Sequence, residues 1–235
     1  MNDAAGKPAK TVMIVHEDSL FGPGTAALLS KALPQHGFEV KDVVKHPNPT
    51  RDFNNIVLRM KSLNPDIVIP ANYYNEYALL LRAMKQQKVQ PKAIYSVLGG
   101  AASSYKFLKE FPDIANGILD CNHWFNPKDA RVAPLKARVE EKGAYFSYEV
   151  FMTYTSVLLL ADALERAKSA DRAAITEALA SSTFSDHIMP YGPTKFVDGQ
   201  NTGAQPLLTQ VIGGDIKVVI PADYRQADAI FPLKA

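Results

Sequence analysis

The stretch HEDSLFGPGTAALL, residues 16–29, decides how this chain is read. It follows the continuous apolar run TVMIV at 11–15 and leads into a helical pattern, so it is the turn between a covered strand and a helix. Gly22, Gly24 and Ala27 also spell G-x-G-x-x-A, the short form of a dinucleotide-binding fingerprint. In such a site the first glycine follows the strand directly, so that the pyrophosphate meets the helix N-terminus. Here residues 16–21 intervene, and two of them, Glu17 and Asp18, repel phosphate. The second strand should end in an acid for the ribose, and it ends Val44-Lys45-His46. The glycines therefore shape a loop and a helix start, not a phosphate cradle.

Outward from that turn the rhythm is regular. FEVKDVVKH (38–46), IVIPA (67–71), AIYSV (93–97) and GILDCNHW (117–124) read as strands. Between them, 52–63, 75–87 and 103–111 read as helices, the first with Phe53, Ile56, Val57, Met60 and Leu63 at helical spacing. Strand and helix alternate, which predicts an α/β fold with a doubly wound parallel sheet over 11–124. After Trp124 three successive helices are expected at 128–142, 147–168 and 171–180, then C-terminal strands that turn at Gly213-Gly214. Residues 1–10 read as a linker and 125–235 as one further piece. In the helix at 147–168, Phe151, Tyr154, Leu158 and Ala161 form a stripe flanked by Val150, Val157 and Leu164, too wide an apolar surface to face water. That surface predicts self-association.

Composition narrows the function. The 235 residues are 47% hydrophobic and 21% charged, as in soluble globular proteins, and a net charge of +2 argues for neither nucleic acid nor an anionic membrane. No apolar run approaches the roughly 20 residues of a membrane span, and the opening MNDAAGKPAK carries no signal peptide. The single cysteine, Cys121, excludes an internal disulfide and a cysteine metal cluster. The His16-Glu17-Asp18 triplet could hold a metal only if neighbours that point to opposite sides converged, and Cys121 and His123, which could share a strand face, lack a nearby third ligand or acid, so a solvated cluster and a buried structural pair are expected; no phosphate loop or nucleophile elbow is present. No catalytic residue, metal or cofactor is expected. In open α/β sheets ligands bind at the carboxyl ends of the strands, where the loops here offer Phe21, Tyr73, Tyr74 and a glycine pair. Adjacent tyrosines point to opposite sides, so one of the two is expected to be structural.

Three segments carry a resemblance. KTVMIVHEDSLFGPG resembles the opening of the second lobe in periplasmic solute-binding proteins of the branched-chain amino-acid (Leu/Ile/Val-binding) type, with a type I periplasmic-binding fold. RDFNNIVLRMKSLNPDIVIPANYYNEYALLLRAMK and YGPTKFVDGQNTG are similar to later parts of the same family, in the same order. The resemblance implies a complete second lobe at 11–124, a partial, helix-rich first lobe at 125–235, and a crossover hinge around Asn122 and Trp124. It also implies a periplasmic location, a small organic solute held between lobes, and an ABC transporter permease as partner. Family members begin with a strand-rich half-lobe and a secretion signal, and the chain opens where the family enters lobe two.

Carried over, Phe21 is the aromatic that stacks on ligand, with Gly22 letting it approach, and Tyr73 or Tyr74 is the tyrosine of the next loop. Where members place an acid for an α-ammonium group, the chain has Leu98 and Gly99 after Val97. Glu17, Asp18 or Glu76 stand as substitutes; without one, an apolar or aromatic carboxylate suits the site better than an amino acid. The alternatives to a transport receptor are a ligand-sensing regulatory domain of the same fold, an α/β enzyme, or an inactive fragment.

Overall fold

A computed structural model describes residues 1–233. The chain forms two compact units, one made of Met1–Asn122 and the chain from Leu208 onward, the other of His123–Leu207. In the first unit β1 (Thr11–Glu17), α1 (Phe21–Gln35), β2 (Glu39–His46), α2 (Asn54–Leu63), β3 (Ile67–Ala71), α3 (Tyr74–Gln86), β4 (Ala93–Val97), α4 (Tyr105–Glu110), α5 (Pro112–Ala115) and β5 (Leu119–Asn122) follow one another. Strands β1 to β5 pair in parallel, in the order β2-β1-β3-β4-β5, as the alternation predicts. Residues 12–17 of β1 are all buried, so both faces of this central strand are covered. Val12, Ile14 and Ile69 form one core cluster with Ala26 of α1, and Leu29 and Leu33 pack against it.

Two expectations are corrected. The last strands do not group with residues 125–207. After α6 (Val132–Glu141), α7 (Tyr148–Ala167), α8 (Arg172–Ala180) and the short strands β6 (Phe196–Val197) and β7 (Gln200–Asn201), the hairpin of β8 (Leu207–Ile212) and β9 (Asp215–Ile220) extends the first sheet beyond β5. It turns at Gly213-Gly214 as expected, and it covers what would otherwise be an open sheet edge. Nor are residues 1–10 a bare linker. The Asn2 side chain bonds both backbone groups of Ala9, which is 2% exposed, and Met1 packs against the cluster of Ala93, Leu119 and Val219.

Asp66 ties that opening segment down. Its Oδ2 accepts from the Lys10 and Thr11 backbone N–H groups and the Thr11 hydroxyl, and its Oδ1 pairs with Lys92 at 2.6 Å. Burial alone would raise its pKa; the Lys92 ammonium and the three other donors outweigh it and hold the carboxyl at about 2. A depressed carboxylate pKa contributes stability above the unfolded value near 4 that is lost as pH falls through about 2. Asp66→Asn should therefore cost about 1 kcal/mol at pH 7, after allowance for solvent screening, and less below pH 3, read by denaturant titration at both pH values.

The second unit packs around rings. Trp124, Phe146 and Phe151 are fully buried, and Phe125 stacks on Trp124 at 4.8 Å and lies 5.4 Å from both phenylalanines. Asp171 caps α8 by accepting from the backbone of Ala173 and Ala174. On α7 the buried line is Phe151, Thr155 and Ala163, while Val157 is 59% exposed and Leu160 and Leu164 are exposed beside it. Residues four apart share one narrow face, so the other apolar positions of α7 stay at the surface.

Candidate functional site

The candidate site lies in the first unit, where β1, β3 and β4 end. In the loop after β1, Glu17 is fully buried, and its carboxylate accepts from the Ser19 and Gly22 backbone N–H groups, both at 2.5 Å. Helix α1 has no side-chain cap at Leu20, so Glu17 satisfies one of the donors that a helix start leaves unpaired. Gly22 is required by the same contact. A Cβ there would sit 2.1 Å from the Glu17 carbonyl oxygen, whereas one on Gly24 would meet nothing within 4 Å. Gly22 thus serves the packing of α1 on Glu17, which sequence reasoning missed; the signal was an acid five residues ahead of the first glycine.

Asp18 is exposed and accepts from the Asn48 backbone N–H at 3.0 Å, tying the loop after β1 to the loop after β2. Phe21 meets Tyr73 with ring centroids 5.6 Å apart, and Tyr73 is 44% exposed with its hydroxyl 3.4 Å from Ser19 Oγ. Tyr74 turns the other way. Its hydroxyl donates to Glu110 at 2.5 Å, its ring stands edge-on to Phe107, and the Lys106 ammonium lies 4.6 Å from the ring centre. Of the two tyrosines, Tyr73 is therefore at the open edge of the sheet and Tyr74 fastens α3 to α4.

In the loop after β4, Leu98 is 42% exposed with φ +53°, and its N–H donates to the Cys121 carbonyl. Gly99 lies directly on the backbone of Asn72, since a Cβ there would be 2.4 Å from the Asn72 carbonyl oxygen. Asn72 is fully buried; its amide nitrogen contacts His46 Nε2, and its Oδ1 has no hydrogen-bond partner. His46 in turn bonds the Pro47 carbonyl through Nδ1. Sequence reasoning missed Asn72, although a polar residue directly after IVIPA was a signal. Of the substitute acids, Glu17 is committed to α1, Glu76 is buried on α3 and Asp18 holds Asn48.

Asn122 and Trp124 fall on either side of the point where the chain passes from the first unit to the second. Trp124 is a core residue of the second unit. Burial pushes the Cys121 thiol up, which keeps it un-ionised at neutral pH. Among the described residues no group of three or more His, Cys, Asp or Glu side chains could hold a metal, and no helix is long and apolar enough to cross a membrane. A cavity of about 710 Å³ opens at the opposite end of the sheet, lined by Asp66, Lys85, Lys88, Lys92 and Leu233, and its charges are largely paired, Lys85 with Asp113 and Lys92 with Asp66.

A family model described as periplasmic binding protein matches residues 1–215. The chain belongs to the periplasmic binding protein family. Among its relatives are the leucine-, isoleucine-, valine-, threonine- and alanine-binding protein of Pseudomonas aeruginosa, 24% identical over 74% of this chain and 46% of that protein, and Leu/Ile/Val-binding protein homolog 7 of Brucella melitensis, 24% identical over 89% of this chain and 55% of that protein. The chain spans about half the length of these curated relatives. Solved structures share the fold: an extracellular ligand-binding receptor from Rhodopseudomonas palustris (TM-score 0.77, 21% identity, 92% of this chain and 64% of that one), and a leucine-binding protein from Thermotoga maritima (TM-score 0.76, 20% identity, 92% and 61%). A type 1 periplasmic binding protein from Bordetella pertussis is also similar (TM-score 0.72, 17% identity, 93% and 63%).

Proposed function

We propose that this chain is part of an extracytoplasmic solute-binding receptor, without catalytic activity, that delivers a small organic solute to an ABC transporter permease. The observation that carries the reading is the Phe21–Tyr73 ring pair at the carboxyl edge of the sheet, beside exposed Leu98. Rings with a polar rim suit a small-molecule site. The solute is an apolar or aromatic carboxylate rather than a zwitterionic amino acid. Gly99 has no room for a side chain, Glu17 is buried against the start of α1 and Asp18 is bonded to the Asn48 backbone in the loop after β2, so none of the three puts a carboxylate at the Leu98–Gly99 position where the resemblance would have one. Asn122 and its neighbours form the hinge. The test is calorimetry on the purified chain against aromatic carboxylates, branched 2-oxo acids and the corresponding amino acids, with native mass spectrometry for a co-purified molecule. Carboxylates lacking an ammonium group should bind more tightly than their amino-acid counterparts; tight leucine binding with no binding of 2-oxo acids would overturn the assignment.

The exposed apolar positions of α7, Val157, Leu160 and Leu164, support self-association through the second unit. Sedimentation velocity across concentrations should show a dimer or larger species that Val157→Glu shifts toward monomer. A chain that is monomeric throughout and binds no hydrophobic dye would remove this part of the reading.

A further inference from the structure

Asn72 stands where three loops of the first unit meet. In the sheet, β1 lies between β2 and β3. The parallel register sets Glu17 of β1 opposite His46, the last residue of β2, and His16 opposite Ala71, the last residue of β3. Asn72 follows Ala71, so His46, Glu17 and Asn72 fall in one row along the carboxyl edge. Strands β2 and β3 are two strand spacings apart, roughly 10 Å, too far for their backbones to touch. The His46 ring and the Asn72 amide span that gap together, past the end of β1, and meet in a short contact between Nε2 and Nδ2. Both residues are buried. The ring is fixed on its other sides, edge-on to Phe53 at 4.9 Å and bonded through Nδ1 to the Pro47 carbonyl. The Asn72 backbone holds the third loop, because Gly99 lies directly on its carbonyl oxygen.

The residue after Asn72 is Tyr73. Its ring is 44% exposed, and its hydroxyl is 3.4 Å from Ser19 Oγ, the long end of a hydrogen bond, so little at the tip of the side chain fixes it. Its direction is set by the backbone on either side, α3 behind it and Asn72 ahead of it. That direction brings the ring to Phe21, which comes from the loop after β1. Burying an amide whose Oδ1 stays unpaired costs more than burying an apolar side chain of that size. Stability alone therefore does not account for Asn72.

We propose that Asn72 is a positioning residue for the solute wall: held by His46 past the end of β1 and packed under Gly99, it fixes Tyr73 against Phe21, so that the ring pair is formed before a solute arrives. The proposal rests on the cleft reading. A ring already held in its bound direction loses no further freedom when solute covers it, and preorganisation of that kind raises affinity without any contact between Asn72 and the solute.

The test follows the ring pair and the solute separately, in the full chain. In the unliganded protein, nuclear Overhauser contacts between the Phe21 and Tyr73 ring protons should be present in wild type and strongly reduced in Asn72→Ala and in His46→Leu. His46→Gln, which returns a polar group to the Nε2 position, should restore them, and the two His46 variants serve if Asn72→Ala does not fold. Calorimetry uses phenylpyruvate, an aromatic carboxylate without an ammonium group. Asn72→Ala should weaken its binding about threefold to tenfold, the cost of ordering one side chain that wild type already holds. In a Tyr73→Ala background the same substitution should cost less than about twofold, because Asn72 acts through that ring. Ring contacts that persist unchanged in Asn72→Ala and His46→Leu overturn the proposal. So does an equal loss of affinity with and without the Tyr73 ring, the mark of a general structural role. If Tyr73→Ala itself leaves phenylpyruvate binding untouched while the ring contacts still depend on Asn72, the cleft reading fails and takes the solute role with it, although the tie from Asn72 to Tyr73 stands.

Discussion

Alanine at Gly22 should destabilise the chain by roughly 2–4 kcal/mol, while alanine at Gly24 should stabilise it by about 0.5–1 kcal/mol. The two glycines look equivalent in the G-x-G motif, and their surroundings separate them. A new Cβ at Gly22 would lie 2.1 Å from the Glu17 carbonyl oxygen and 2.7 Å from its carboxylate, inside a contact that starts α1. Neither atom is the end of a free side chain, because the carboxylate is held by the Ser19 and Gly22 N–H groups. Relief requires moving the helix start away from β1. At Gly24 the same methyl meets open space in a helix, where glycine only costs backbone entropy. Urea titration of both variants checks the pair, and equal midpoints would mean that the approach of α1 to Glu17 is not needed for folding.

Phe21→Ala should weaken solute binding by roughly 2–3 kcal/mol, a loss of about 30-fold to 150-fold. The ring is half-buried against Tyr73 before any solute arrives, so part of its surface remains to be covered. Tyr74→Phe is the matched control. It removes a hydroxyl bonded to Glu110, away from the site, and should leave affinity unchanged while costing a little stability. If calorimetry shows no loss for Phe21→Ala, the ring serves only to pack on Tyr73.

The parallel sheet was legible because the inner strands are apolar runs and β2 alternates apolar with charged residues, each bounded by turn residues and separated by a helix at 3.6-residue spacing. That signal is local. The place of the last hairpin was not local: Gly213-Gly214 announces a turn, but which sheet edge the hairpin joins depends on β5, which is distant in the chain. The tyrosine pair shows the same limit at the site. Alternation said that Tyr73 and Tyr74 diverge; which one turns to α4 depends on Lys106, Phe107 and Glu110 there, about thirty residues further along the chain. On α7 the amount of apolar surface could be counted in advance, but not which line of it would meet the Trp124 cluster.

The placement of β8 next to β5 bears on how the molecule assembles. These neighbours in one sheet are separated by all of His123–Leu207, whereas β1 to β4 are joined by single helices. Pairing across a long intervening segment must first overcome the entropy of closing that loop, and contacts of high sequence separation slow folding. The parallel strands can associate early from short-range contacts, and the antiparallel edge is added late, once the inserted segment has collapsed. Until then β5, paired with β4 on one side only, stands as an edge strand with free backbone donors and acceptors on the other, open to pairing with another chain during synthesis.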